Sequence, residues 1–124
     1  MTSTIKFIDA NIFLKKWIDA KSAKLVENLD REKHCTSVLV LSEVHHLLTR
    51  KNISGAFDYL RSILGRITVF DFVQEDLFNA IKNEQSFDIN DKVNVEIMKR
   101  NNINTIVSYD KEFDRVKTIK REEP

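Results

Sequence analysis

Short apolar stretches alternate with longer segments whose apolar residues recur at helical spacing, and this alternation constrains the fold most. Ile5, Phe7 and Ile8 form the first stretch, which stops at Asp9. Residues 36–38, extended back to His34, form the second, 67–70 the third and 105–107 the fourth; 116–119 is a candidate fifth. Between them a helical pattern runs from Asn11 to about Arg31, with Asn11 and Ser22 as candidate N-caps. Val40, Leu41, Val44, Leu47 and Leu48 mark an amphipathic helix, and another runs over 54–64 and stops at Gly65. A helix over 74–84 sets Leu77, Phe78 and Ile81 on one face, and a last one runs from Asp88 or Asn90 to Asn101. This pattern predicts a single α/β domain over residues 1–124, a parallel sheet with helices on both faces. In such sheets the ligand site lies beyond the carboxyl ends of the strands.

Composition narrows the setting. With 42% hydrophobic residues the chain can bury a real core. Its one cysteine, Cys35, lies in an apolar context and reads as a small core residue; a reducing, cytoplasmic location is the expectation. Charges at Lys6 and Asp9 interrupt the start of the chain, so no signal peptide is expected there, and no run approaches the roughly 18 apolar residues of a membrane span. The net charge of +1 neither announces nor excludes a polyanionic partner, so any affinity for a nucleic-acid backbone has to come from local patches. Lys15, Lys16, Lys21 and Lys24, with Lys99 and Arg100 later, are the candidate backbone contacts.

Most of the 19 acids fall on solvated helix positions, among them Glu27, Asp30, Glu32, Asp58, Glu75 and Glu84. Four do not. Asp9 directly follows the first strand and Asp110 the fourth, so both face one crevice; each also suits an Asx-turn or a helix cap. Glu43 lies about 40° from Leu47 and about 60° from Val40 around its helix, on the margin of the apolar stripe. A carboxylate there needs a cation, hydrogen bonds or a metal. Asp91 suits a helix start but shares a face with Val95 and Met98. Acids from four elements converging at one end of a sheet repel unless a cation joins them, and oxygen donors suit Mg²⁺ or Mn²⁺.

The segments FIDANIF (7–13), SVLVLSEVHHLL (37–48) and FDINDKVNVEIMKRNNINTIVSYDKEFDRV (87–116) resemble the blocks of the PIN-domain ribonucleases, most nearly the virulence-associated protein C (VapC) toxins of toxin–antitoxin pairs. Asp9 and Asn11 resemble the family's strand-end acid and its follower; Glu43 resembles the helix-borne acid and Asp91 the acid at a helix start. Ser108, Asp110 and Phe113 resemble its Ser/Thr-x-Asp block and following aromatic. After the third acid this chain has Lys92, Val93 and Asn94, where the family has small residues. The resemblance implies a three-layer α/β/α sandwich around a mainly parallel sheet. It implies a metal-dependent endoribonuclease in which Asp9, Glu43, Asp91 and Asp110 hold Mg²⁺ or Mn²⁺, supported by Asn11 and Ser108. It also implies an antitoxin partner and a homodimer, for which Phe13, Trp17 and the 54–64 helix are candidate contacts.

Other readings fit less well. A catalytically silent PIN module that binds RNA or protein is the main alternative, and retention of all four acids argues against it. Glu43 and His46 form Glu-x-x-His, but the second copy a di-iron bundle needs is missing. A phosphoacceptor receiver domain needs adjacent acids after the first strand, where this chain has Asp9 and Ala10. No Gly-rich phosphate loop exists.

Overall fold

The protein is described here by a computed structural model covering residues 4–124. Among these residues, strands β1 (Lys6–Ile8), β2 (His34–Ser37), β3 (Thr68–Phe70), β4 (Thr105–Val107) and β5 (Lys120–Glu122) form one all-parallel sheet in the order β3-β2-β1-β4-β5. Helices α1 (Ala10–Leu14) and α2 (Ala20–Glu27) connect β1 to β2; α3 (Val38–Arg50) and α4 (Ala56–Leu64) connect β2 to β3. Helices α5 (Gln74–Lys82) and α6 (Ile89–Arg100) carry the chain back across to β4, and a 3-10 turn over Lys111–Arg115 precedes β5. Phe7 and Ile8 point to opposite faces of β1 and both are fully buried, so helices cover the sheet on both sides. The strand order reverses between β1 and β4, which opens a crevice at their carboxyl ends.

The expected α/β architecture is therefore present, with local corrections. The helical pattern from Asn11 to about Arg31 comprises two helices, and their caps differ from the residues expected. Asp9, not Asn11, caps α1, and Asp19, not Ser22, caps α2 by accepting from the Ser22 amide at 3.2 Å. Ser22 is buried and its hydroxyl donates to Asp19 at 2.7 Å. Val38 begins α3 instead of ending β2, because the Ser37 hydroxyl accepts from the Val40 amide and starts the helix there. The fifth strand lies at Lys120–Glu122, beyond the apolar 116–119 stretch. It is an edge strand, and charged side chains are what such edges carry.

Phe13 is fully buried, which removes it from the candidate subunit contacts; Trp17 is 45% exposed and packs edge-on against Tyr59 at 5.0 Å. Cys35 is a core residue, and burial pushes its thiol up to about 12. On α5 the expected apolar face is only partly used: Ala80 is buried, while Phe78 and Ile81 are exposed. The face turns because Asp76, 2% exposed, takes both Nε and Nη2 of Arg100 on α6 at 3.0 and 2.9 Å. Arg100 is thus a structural partner and not the free RNA contact expected from the sequence, and Lys99 pairs with Glu96 at 3.3 Å. Replacing Asp76 by Ala strands the guanidinium. The expected cost is on the order of 2 kcal/mol, below the ~3–5 of a fully buried pair because the Arg100 side chain keeps 34% exposure. Chemical denaturation of wild type and Asp76→Ala measures it.

Candidate active site

The β1 end is built first. Asp9 leaves the strand where its own N–H donates to the Val107 carbonyl at 3.1 Å, so β1 and β4 end side by side. Its Oδ1 accepts from the Ala10 amide at 2.9 Å, and α1 begins. Its Oδ2 accepts from the Ser108 hydroxyl at 2.7 Å and from Asn11 Nδ2 at 3.1 Å. Asn11 Nδ2 also lies 3.0 Å from Ser108 Oγ, and Asn11 Oδ1 accepts from the Tyr109 amide at 3.2 Å. Ser108 Oγ accepts in turn from the Asp110 amide at 3.0 Å. Asn11 and Ser108 therefore lock the Asp9 carboxylate and join the two strand ends.

The other acids arrive from separate elements. Glu43 projects from the second turn of α3, whose start is fixed by Ser37. Asp91 sits in the first turn of α6, capped by Asp88. Asp110 caps the 3-10 turn through the Glu112 amide at 3.0 Å. Asp9, Glu43, Asp91 and Asp110 all line one cleft of about 470 Å³. The structure adds residues the sequence reading did not include in the site: Asp88, read there as a helix cap, and Asn90 and Glu112, which stand at the rim. Among the described residues lining this cleft there are six carboxylates and no Lys, Arg or His.

That imbalance shifts the acids. Burial raises the Asp9 carboxyl, opposed by the Ser108 and Ala10 hydrogen bonds, and the Asp110 charge raises it further. Glu43 is raised by burial, then by Asp9 and Asp88. Asp91 is raised to about 7 by burial and by the charges of Asp9, Asp110, Asp88 and Glu43. Perturbed acids gathered in one cleft are what functional sites show.

The departure after Asp91 does not reach the cleft. Lys92 Nζ donates to the Asn83 carbonyl at 2.6 Å, and Val93 packs with Ala80 and Ile97. Asn94 accepts from the Ser37 hydroxyl at 2.7 Å, a buried bond between α6 and the start of α3. His45 and His46 are exposed on α3 and do not line the cleft.

A family model for the PIN domain matches residues 6–119. The chain belongs to the PIN domain family. Solved structures agree with that fold. The VapC20 toxin of Mycobacterium tuberculosis, described as a sarcin–ricin-loop-cleaving toxin, is 19% identical with a TM-score of 0.74, over 95% of this chain and 98% of that one. VapBC2 of Rickettsia felis, bound to a DNA fragment from its promoter, is 18% identical with a TM-score of 0.72, over 96% and 98%. A protein of Pyrobaculum aerophilum is 17% identical with a TM-score of 0.67, over 97% and 85%. At such identities the likeness is one of fold. A comparison with curated protein sequences gives no match. Among the described residues of this PIN domain, no helix is long and apolar enough to cross a membrane.

Proposed function

We propose that this PIN domain is a metal-dependent endoribonuclease and the toxin of a type II toxin–antitoxin pair, with Asp9, Glu43, Asp91 and Asp110 as its metal-binding and catalytic acids. The observation that carries the reading is their convergence, from four elements, on one cleft that no Lys, Arg or His lines among the described residues. The donor set tests the fit. All the acids offer hard oxygen, which suits Mg²⁺ or Mn²⁺. Among the described residues no group of three or more His, Cys, Asp or Glu side chains stands close enough to hold one metal ion together. Mg²⁺ keeps several of its waters and binds through one or two carboxylates, so it does not require such a group. A bound divalent ion supplies charge that lowers the pKa of water and stabilises a phosphodiester under attack.

The chain's own residues set the rest. Asp9 is held by Ser108 and Asn11, so its carboxylate is oriented before any ligand arrives. Asp91, raised to about 7 by burial and by the charges of its neighbours, is the carboxyl that a bound cation would hold ionised against that repulsion. Support for the biological setting comes from relatives in fold: one is described as a toxin that cleaves the sarcin–ricin loop, and another as a toxin–antitoxin complex. An antitoxin and a second copy of the chain are the partners this reading entails, with exposed Trp17, Phe57 and Leu64 as apolar contacts on offer.

Cleavage of structured RNAs is expected with Mg²⁺ or Mn²⁺ and is expected to vanish in excess chelator. Ca²⁺ should support it poorly, because its larger, looser shell positions water badly. Gel analysis of end-labelled RNA reads all three conditions. Full activity in chelator would overturn the metal requirement, and RNA bound but left intact in Mn²⁺ would make the chain a silent binding module.

A further inference from the structure

A cleft ringed by six carboxylates repels a polyanion, so an RNA strand needs a cation close to the rim. The lysines and arginines near the site are not equivalent. Lys92 is engaged with the Asn83 carbonyl, and Arg121 is paired with Asp114 and Glu123. Arg115 lies over Phe87 and donates to Ser86. Lys16 lies over the Tyr59 ring at 4.7 Å and the Trp17 ring at 5.3 Å, on the side of α1 that meets α4.

Lys15 differs from all of these. Its amide donates to the Asn11 carbonyl, which places it one helical turn, about 5.4 Å, beyond a cleft residue and on the same face. Its ammonium stands 4.3 Å from the centre of the Tyr109 ring and, among the described residues, forms no ion pair. Tyr109 is a fixed platform. Its amide donates to Asn11 Oδ1, and its hydroxyl donates to Asp19, the cap of α2. The ring is thereby tied to both the acid site and the α1–α2 corner. An aromatic face holds an ammonium without neutralising it, so the charge remains available to an anion.

We infer that Lys15, seated on the Tyr109 ring, is a phosphate-binding group for an RNA strand entering the acid cleft, an inference that rests on the ribonuclease reading above. A lysine suits this place because it meets a phosphate as a point charge and needs no bidentate geometry.

The test is fluorescence anisotropy of a labelled single-stranded oligoribonucleotide on the full chain, in Ca²⁺ so that the acids carry a cation while the strand stays intact, across a salt series. Each phosphate contact contributes about 0.7 to the slope of log affinity against log salt for a single strand. Lys15→Gln is expected to reduce the slope by about that amount and to weaken binding about fivefold at low salt. Lys15→Arg should restore both. Lys16→Gln removes the same charge from the same helix end, over other rings, and should leave the slope unchanged. Mn²⁺ binding by calorimetry should be as tight in Lys15→Gln as in wild type, or tighter, since a positive charge near the acids has been removed. Wild type that binds RNA while Lys15→Gln matches Lys16→Gln would overturn the inference alone and leave Lys15 to a protein-facing surface. Wild type that binds no RNA at any salt would overturn the RNA reading with it. Weakened Mn²⁺ binding in Lys15→Gln would make the residue a prop of the acid site, which also overturns the inference.

Discussion

Asp91→Asn is expected to lower RNA cleavage by at least about 100-fold while the far-ultraviolet circular dichroism spectrum is unchanged. The substitution changes charge and almost no volume. Asp91 sits in the first turn of α6, where Asp88 already supplies the cap, and among the described residues its side chain makes no hydrogen bond that Asn would lose. What it loses is an oxygen anion facing Asp9, Asp110 and Glu43. Asp9→Asn should match it in activity and is the less clean variant. Asp9 Oδ1 accepts from an amide and Oδ2 from a hydroxyl, so one of these donors would meet the new NH₂ group. Cleavage rates on a defined RNA, with Glu84→Gln as an exposed control purified in parallel, decide the assignment. Either variant cutting at the wild-type rate would remove the acid cluster from catalysis.

Much of this site was legible because strand ends are legible. Asp9 follows Phe7 and Ile8 directly, and Asp110 follows residues 105–107 at the distance a tight turn allows, so both had to emerge at the carboxyl edge of the sheet. Glu43 announced itself by its place on the margin of the apolar stripe, about 40° from Leu47 and about 60° from Val40; the structure buries Val40 completely and Leu47 in part. The departures have physical causes. The chain between Lys15 and Asp19 carries ordinary helix formers, and the break there is imposed by the Asp19 side chain capping α2 and receiving the Tyr109 hydroxyl across the fold. That contact joins residues 90 apart and leaves no local trace. Strand β5 is Lys-Arg-Glu, invisible to any search for apolar alternation because it pairs only with β4. Nothing local in the sequence sets Asp76 apart from its neighbour Glu75; only the approach of Arg100 from α6 makes it a buried partner. Glu112 reaches the cleft rim through the 3-10 turn that Asp110 caps, a geometry set by one side chain and not by periodicity.

Without metal, the fold should be held back by the charges that its function requires. Asp91 stands at about 7 in the folded chain, against 3.8 for an ordinary aspartate, and Asp9 and Glu43 are raised as well. Because the acids are coupled, this titration belongs to the set more than to one residue. The sign follows from proton counting. Between about pH 4 and pH 7 the folded state binds more protons than the unfolded chain, so stability falls as pH rises through that window and stays low above it. Removing one charge, as in Asp91→Asn, is therefore expected to raise the melting temperature in chelator at pH 8, and the gap should close as pH falls toward 4. Asp110→Asn is the weaker choice, since Asp110 also caps the 3-10 turn. A divalent ion reverses the penalty. At 100 times its dissociation constant, Mn²⁺ should stabilise the wild type by about 2.7 kcal/mol, on the order of 10 °C for a domain of this length. The increment should shrink at pH 5.5, where protons compete for the same oxygens, and should be much smaller in Asp91→Asn at any pH. A purely structural carboxylate network requires the opposite, because losing one charge would leave a partner unpaired. Thermal melts of both proteins, in chelator and in Mn²⁺ at the two pH extremes, separate the cases. A variant that melts lower than wild type in chelator, with neither protein responding to Mn²⁺, would leave the cleft without a metal and the ribonuclease reading without its foundation.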